Sequence, residues 1–142
     1  MSAQLAFYKG RDRLFDRAVQ WWTNGPYSHC ELVIDGLCYS SSLRDDGIRT
    51  KVIDLTSGRW DVVAVTIDER AAQDWFFNHR GAAYDWAGLL GFVLPWRTQD
   101  RRRWFCSEAC AEAMGLPESW TISPNDLARL VGVTDEPLER AL

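Results

Sequence analysis

The chain has no long apolar run, no surplus of basic residues and no closely paired cysteines, and each absence removes a class of function. No stretch approaches the roughly 18 apolar residues that a membrane-spanning helix needs. The N-terminal segment MSAQLAFYKGRDR has no apolar run after its basic residues, so it does not read as a secretory signal. The expectation is cytoplasmic synthesis without a transmembrane segment. Sixteen Lys and Arg against twenty Asp and Glu give a net charge of -4, which argues against nucleic acid as a partner, because binding phosphates demands a basic excess. The four cysteines, Cys30, Cys38, Cys106 and Cys110, show no CxxC spacing; in a cytoplasmic chain they are expected to be reduced. Repeats, low-complexity tracts and Pro/Gly/Ser-rich linkers are also missing. The 142 residues therefore read as one domain, 1–142, able to bury roughly two thirds of its unfolded surface.

What is present reads as α+β. A strand at Leu5–Tyr8 precedes an amphipathic helix at Arg13–Trp22, whose Leu14, Phe15, Ala18, Val19 and Trp22 recur at helical spacing and which Asn24-Gly25-Pro26 stops. Strands at Ser28–Ile34 and Leu37–Ser42 flank Asp35-Gly36, a dipeptide suited to a two-residue turn with positive φ. Two more strands, Ile48–Ile53 and Asp61–Ile67, bring the antiparallel sheet to four or five. The second half is helical: Glu69–His79, Trp86–Leu94, a helix from Cys106 to Gly115, and a last one with Ser123 as N-cap and Pro124 at its first position. Strands first and helices later place the chain among α+β proteins, with the sheet packed on helices.

Two residues stand out as chemistry. Cys106 lies in WFCSEACAEAMGLP where an aromatic stretch gives way to a helix. Unpaired N–H groups and the positive end of the helix dipole there favour the thiolate. His29 lies on a strand, in YSHCELVIDG. A thiol at a helix start and a strand imidazole are the halves of a cysteine hydrolase, with His29 taking the proton of Cys106. A two-residue turn at Asp35-Gly36 sets the hairpin register: Ile34 faces Leu37, Glu31 faces Ser40, and His29 faces Ser42. His29, Glu31, Ser40 and Ser42 then share one polar face, and Leu32, Ile34, Leu37 and Tyr39 point the other way. The third group that fixes the imidazole is a serine hydroxyl or Glu31, and a slip of one residue brings Ser41 in.

The order of these pieces resembles a known family. SH-x-E-L-V on an early strand, followed much later by F-C-S-E at a helix start, resembles the circularly permuted branch of the papain-fold NlpC-like superfamily, which includes lecithin:retinol acyltransferase-like proteins. In that branch the histidine precedes the cysteine, as His29 precedes Cys106 here. YSHCELVIDG, GAAYDWAGLLG, WFCSEACAEAMGL and SPNDLARL together resemble small proteins often encoded by phages or prophages, over about Tyr27–Leu130. The resemblance implies a permuted papain-like fold with Cys106 as nucleophile and His29 as base. It also implies a third polar residue on the next strand, which the register assigns to Ser42. Relatives often carry a stronger acceptor there, so Glu31 is the alternative. Tyr84, in a family-like YD pair, is expected to border the cleft.

The substrate implied is a peptide or acylated molecule. A cell-wall stem peptide leads, an acyl-lipid or thioester is the second reading, and a binding or structural module that has lost catalysis is the third. No cofactor is implied. Cys106, Cys110 and His29 match no standard zinc spacing, so no metal is expected. A phage-encoded enzyme would be released or carried in the particle. Cys30 and Cys38 read as core, and Glu108 and Glu112 as solvated carboxylates that suit the helix dipole. Six of the eight tryptophans, Trp60 and Trp21 among them, read as apolar payload. Trp96 and Trp104 bracket a basic loop, Pro95–Arg103, that fits a substrate rim, with Ser40 and Trp104 as further substrate contacts.

Overall fold

The computed structural model describes residues 3–42, 44–84 and 103–133. Its strands are β1 (Ala3–Tyr8), β2 (His29–Ile34), β3 (Leu37–Ser42), β4 (Gly47–Lys51), β5 (Trp60–Val65), β6 (Ala83–Tyr84) and β7 (Arg103–Trp104). The helices are α1 (Leu14–Trp22), α2 (Glu69–His79), α3 (Cys106–Ala113) and α4 (Pro124–Leu130), with a single 3₁₀ turn at Ser119–Thr121. The first five strands form an antiparallel sheet in the order β4-β3-β2-β1-β5, and β6 and β7 pair in parallel. The class is α+β, as the sequence suggests. No helix among the described residues is long and apolar enough to cross a membrane. The expected helix Trp86–Leu94, Trp96 and most of the basic loop lie outside the described residues.

Local chemistry explains the element ends. Asp35 and Gly36 both take positive φ, 51° and 78°, the backbone that a two-residue hairpin turn requires. Asp68 caps α2 by accepting from the Ala71 N–H at 3.0 Å. Ser123 and Asp126 form a reciprocal capping box on α4, with Pro124 at the first position. Strands β4 and β5 end two residues earlier than expected, at Lys51 and Val65, and β5 begins one residue earlier, at Trp60.

The sheet has two unlike faces. On one, Leu5, Phe7, Cys30, Leu32, Ile34 and Tyr39 pack under α3 and α4, in the main core with Cys106, Ala109, Cys110 and Leu127. All of α3 except Glu112 is buried, and its run of Ala, Ser and Cys lets the helix backbone approach the sheet closely. On the other face Ala6, Val33 and Cys38 form a smaller cluster with Ile53, Leu55 and Trp60.

Two expectations about burial fail for reasons visible in the packing. Glu108 is 0% exposed rather than solvated, because the sheet covers α3 on one side while α2, the 3₁₀ turn and α4 cover it on others. Glu112 accepts from the Ser119 hydroxyl at 2.7 Å. On α1 the apolar stripe does not turn fully inward: Val19 is buried but Leu14 is 81% exposed, Trp21, expected as apolar payload, is 78% exposed, and Asp16 and Gln20 are buried. The polar pair goes in because it meets obligatory partners. Asp16 accepts from the Ser28 hydroxyl, and Gln20 donates to the carbonyls of Gly10 and Pro26.

Candidate active site

The site forms where the ladder between β2 and β3 stops. The expected register holds for Ile34–Leu37, Val33–Cys38 and Leu32–Tyr39, and pairing ends there. Ser42 is therefore not the ladder partner of His29; it pairs with Gly47 on β4. Where the ladder ends, the Ser40 hydroxyl takes over, donating to the Cys30 carbonyl at 2.7 Å. Ser40 is fully buried, its hydroxyl engaged within the sheet.

Glu31 meets the imidazole. His29 Nε2 lies 3.4 Å from Glu31 Oε1, and the Glu31 side chain is 0% exposed. Such a carboxylate is costly to bury unless fully paired. Arg49 supplies the pairing. Its Nη1 donates to Glu31 Oε2 at 3.0 Å and its Nη2 meets Oε1, a bidentate clamp. Arg49 also bonds Asp45 Oδ2 through Nε at 2.8 Å, and Lys51 reaches the same oxygen at 2.9 Å. Arg49 faces Ser40 across β3–β4. A residue as small as serine at that place leaves the guanidinium free to extend toward β2.

On the other side His29 interacts electrostatically with Cys106, each favouring the other's charged form. Cys30 alternates with His29 on β2 and faces α3, where its thiol neighbours those of Cys106 and Cys110. Cys106 thus neighbours His29 and Cys30 at the N-terminus of α3. Its N-cap, Phe105, has no side-chain acceptor for the first-turn N–H groups.

These contacts redistribute a proton. Burial opposes the charge on His29, but the Cys106 sulfur and the Glu31 carboxylate overcome it and raise the imidazole from 6.5 to about 10. Burial also opposes the Cys106 thiolate, yet the Cys30 thiol and the His29 charge hold it well below the ordinary thiol value. Glu31 is pushed up by burial and held down more strongly by His29 and Arg49, below the usual carboxylate value. Cys30 is driven the opposite way, by burial and its two sulfur neighbours, and stays protonated. Both shifts run in the direction that favours a thiolate–imidazolium pair over the neutral one.

Access comes from the imidazole side. Cys106 is 1% exposed and the His29 side chain 20%. A cavity of about 600 Å³ opens beside His29 and Glu31, and Ser42 lines it. Trp60, expected to be core, is half-buried and forms a wall of this cavity, with its ring centroid 6.3 Å from that of His29 and 5.1 Å from that of Tyr8. For Tyr84 and Trp104 the backbones pair across β6 and β7, and their proposed substrate contacts lie outside the described residues. No group of three His, Cys, Asp or Glu side chains suited to hold a metal occurs among the described residues.

Three features escape a reading of the sequence alone: Arg49 as the clamp on Glu31, Cys30 as a neighbour of Cys106, and Trp60 as a cavity wall. Arg49 had a usable signal, since extending the hairpin register one strand further places it on the Glu31 face. No protein-family model matches the chain, and no curated protein sequence matches it significantly.

Proposed function

We propose that the protein is a cysteine hydrolase that cleaves an amide bond through a Cys106 thiolate paired with His29. The single observation that carries this reading is the contact of Cys106, at a helix N-terminus, with an imidazole held from behind by the Glu31–Arg49 pair. The order of histidine strand and cysteine helix is that of a permuted papain-like fold, which the antiparallel sheet packed against α3 suits.

The chemistry follows from the proton's position. With the proton already on His29, the Cys106 sulfur attacks the carbonyl directly, without prior deprotonation. The Cys106 N–H, in the first turn of α3, is the donor nearest the developing oxyanion. The imidazolium then gives its proton to the departing amine, leaving an acyl-thioester and a neutral imidazole. That imidazole takes a proton from water, whose oxygen attacks the thioester. Thiolate and imidazolium are thereby restored. Glu31 stabilises the charged ring and fixes its orientation, the role first divided between it and Ser42.

A cell-wall stem peptide is the leading substrate class, from the order of the motifs. A second reading has one observation in its favour: Cys106 is almost fully buried, which suits a binding or structural module on the same scaffold. One experiment separates them. Purified protein and Cys106→Ala are incubated with peptidoglycan fragments, short acyl esters and acyl-thioesters, and products are followed by mass spectrometry. Amide cleavage by the wild type alone supports the hydrolase, and ester or thioester cleavage alone moves the reading to acyl-lipid chemistry. Intact substrates in every case favour the binding module.

A further inference from the structure

The cavity beside His29 is unusually cationic for this chain. Five Arg and Lys side chains and three carboxylates line it, although the whole sequence carries a net charge of -4. Three of the cations are already engaged. Arg49 holds Glu31 and Asp45, Lys51 holds Asp45, and Arg59 pairs with Asp12. Arg13, at the start of α1, and Arg44, between β3 and β4, have no carboxylate partner among the described residues. The remaining carboxylate, Asp16, is buried and accepts from Ser28.

Arg13 and Arg44, without a carboxylate partner among the described residues, thus line a cavity whose other walls include Phe15, Trp60 and Ile53. Apolar walls strengthen the field of the cations and concentrate anions at the mouth. The volume, about 600 Å³, is in the range that holds a molecule of a few residues. A guanidinium fork binds a carboxylate through two parallel hydrogen bonds.

We propose that this cavity is an anion subsite in which Arg13 and Arg44 hold a substrate carboxylate while the scissile carbonyl lies at His29 and Cys106. The assignment rests on the thiol-hydrolase reading and narrows its substrates to acidic peptides. The surface neighbours of the subsite, not the thiol pair, then set specificity.

The test uses matched electrophiles: the α-amides of N-bromoacetyl-glutamate, N-bromoacetyl-glutamine and N-bromoacetyl-phosphoserine. In each, the Cys106 sulfur forms a C–S bond, the C–Br bond breaks, and bromide leaves with the electron pair; no redox partner is needed. Peptide mapping follows Cys106, with Cys30 as the buried control. The glutamate probe should label Cys106 about tenfold faster than its glutamine twin at low ionic strength, the size of one charge-assisted contact. In the double variant Arg13→Gln/Arg44→Gln, which alters two exposed side chains, that ratio should fall to about one. Added salt should lower the wild-type ratio as well. Equal rates for the twins, or a preference that survives in the double variant, overturn the subsite while leaving the thiolate intact. A phosphoserine probe faster than the glutamate probe overturns the carboxylate assignment in favour of a phosphate. If no probe labels Cys106 faster than Cys30, the thiolate reading falls and the subsite with it.

Discussion

Glu31 lies behind His29 on the same strand face, Oε1 to Nε2 at 3.4 Å, and its other oxygen accepts from Arg49 at 3.0 Å. A carboxylate buried between two cations holds the imidazole only while it is ionised and clamped. Replacing Glu31 by Gln leaves Arg49 with Asp45 as its remaining carboxylate, and breaking such a buried pair costs about 3–5 kcal/mol. Equilibrium denaturation at pH 7 should show a loss of that order. Glu31→Gln/Arg49→Gln should cost less than the two single losses together, because no charge is left stranded. The pH dependence has a definite sign. Glu31 is depressed in the fold, so its contribution is present above about pH 4.5 and is lost as the pH falls through its folded value. The gap between wild type and Glu31→Gln should therefore narrow in acid. A gap that is constant with pH excludes an ionised Glu31.

Much of this arrangement was legible because it depends on short-range rules. Asp35-Gly36 fixes the hairpin register, alternation puts His29 and Glu31 on one face, and Ser123-Pro124 marks the start of α4. The rest depends on where ladders end and what covers a helix. Pairing stops after Leu32–Tyr39, so Ser42 is not the ladder partner of His29, whereas Glu31 Oε1 lies 3.4 Å from His29 Nε2. Arg49 reaches Glu31 from two strands away, beyond any pattern within the hairpin. Glu108 reads as solvated on helical spacing, since nothing in its own helix reports that α2 and α4 close over it.

Asn125 sets the start of β2 from far along the chain. Its Oδ1 accepts from the Tyr27 N–H at 2.9 Å, and its Nδ2 donates to the Tyr27 carbonyl at 3.0 Å and to Thr23 Oγ1 at 2.6 Å. All three partners are buried, and His29 follows two residues later. Asn125→Ala should cost about 3 kcal/mol, roughly one for each buried hydrogen bond lost. Asn125→Asp sets a carboxylate oxygen against the buried Tyr27 carbonyl, so it should be no more stable than Asn125→Ala. An Asn125→Ala variant as stable as wild type rules out this tether.

Gly47 closes the far edge of the site. It has φ +123°, and a Cβ there would lie 1.9 Å from the Ala82 carbonyl oxygen, which accepts from the neighbouring Ile48 N–H at 2.9 Å. Strain from the backbone angle alone is about 1–3 kcal/mol for a residue with a Cβ, and the clash adds to it. Gly47→Ala should lower the unfolding midpoint in denaturant by an amount consistent with at least about 2 kcal/mol. Gly36→Ala tests the backbone part separately, since nothing lies within 4 Å of a Cβ there. It should show backbone strain alone and be the milder of the two.

The proton shared between Cys106 and His29 gives the sharpest pH signature. Alkylation of Cys106 by iodoacetamide should stay fast well below the ordinary thiol value, because Cys30 and His29 hold the thiolate. Turnover should fall on the alkaline side near pH 10, where His29 loses its proton. The same titration acts on stability. His29 is raised from 6.5 to about 10 in the fold, so its stabilising charge is fully present below pH 6.5 and is lost as the pH rises through about 10. Removing either neighbour should expose what burial does alone, which is to favour the neutral thiol. His29→Ala should therefore move Cys106 alkylation to markedly higher pH. Cys30→Ala should do the same while leaving the imidazole in place, since it deletes the neighbour that most favours the thiolate. Cys38, with no sulfur or imidazole hydrogen bond, is the internal reference. An alkylation profile for Cys30→Ala that superimposes on wild type would remove Cys30 from the site and leave His29 as the sole support of the thiolate.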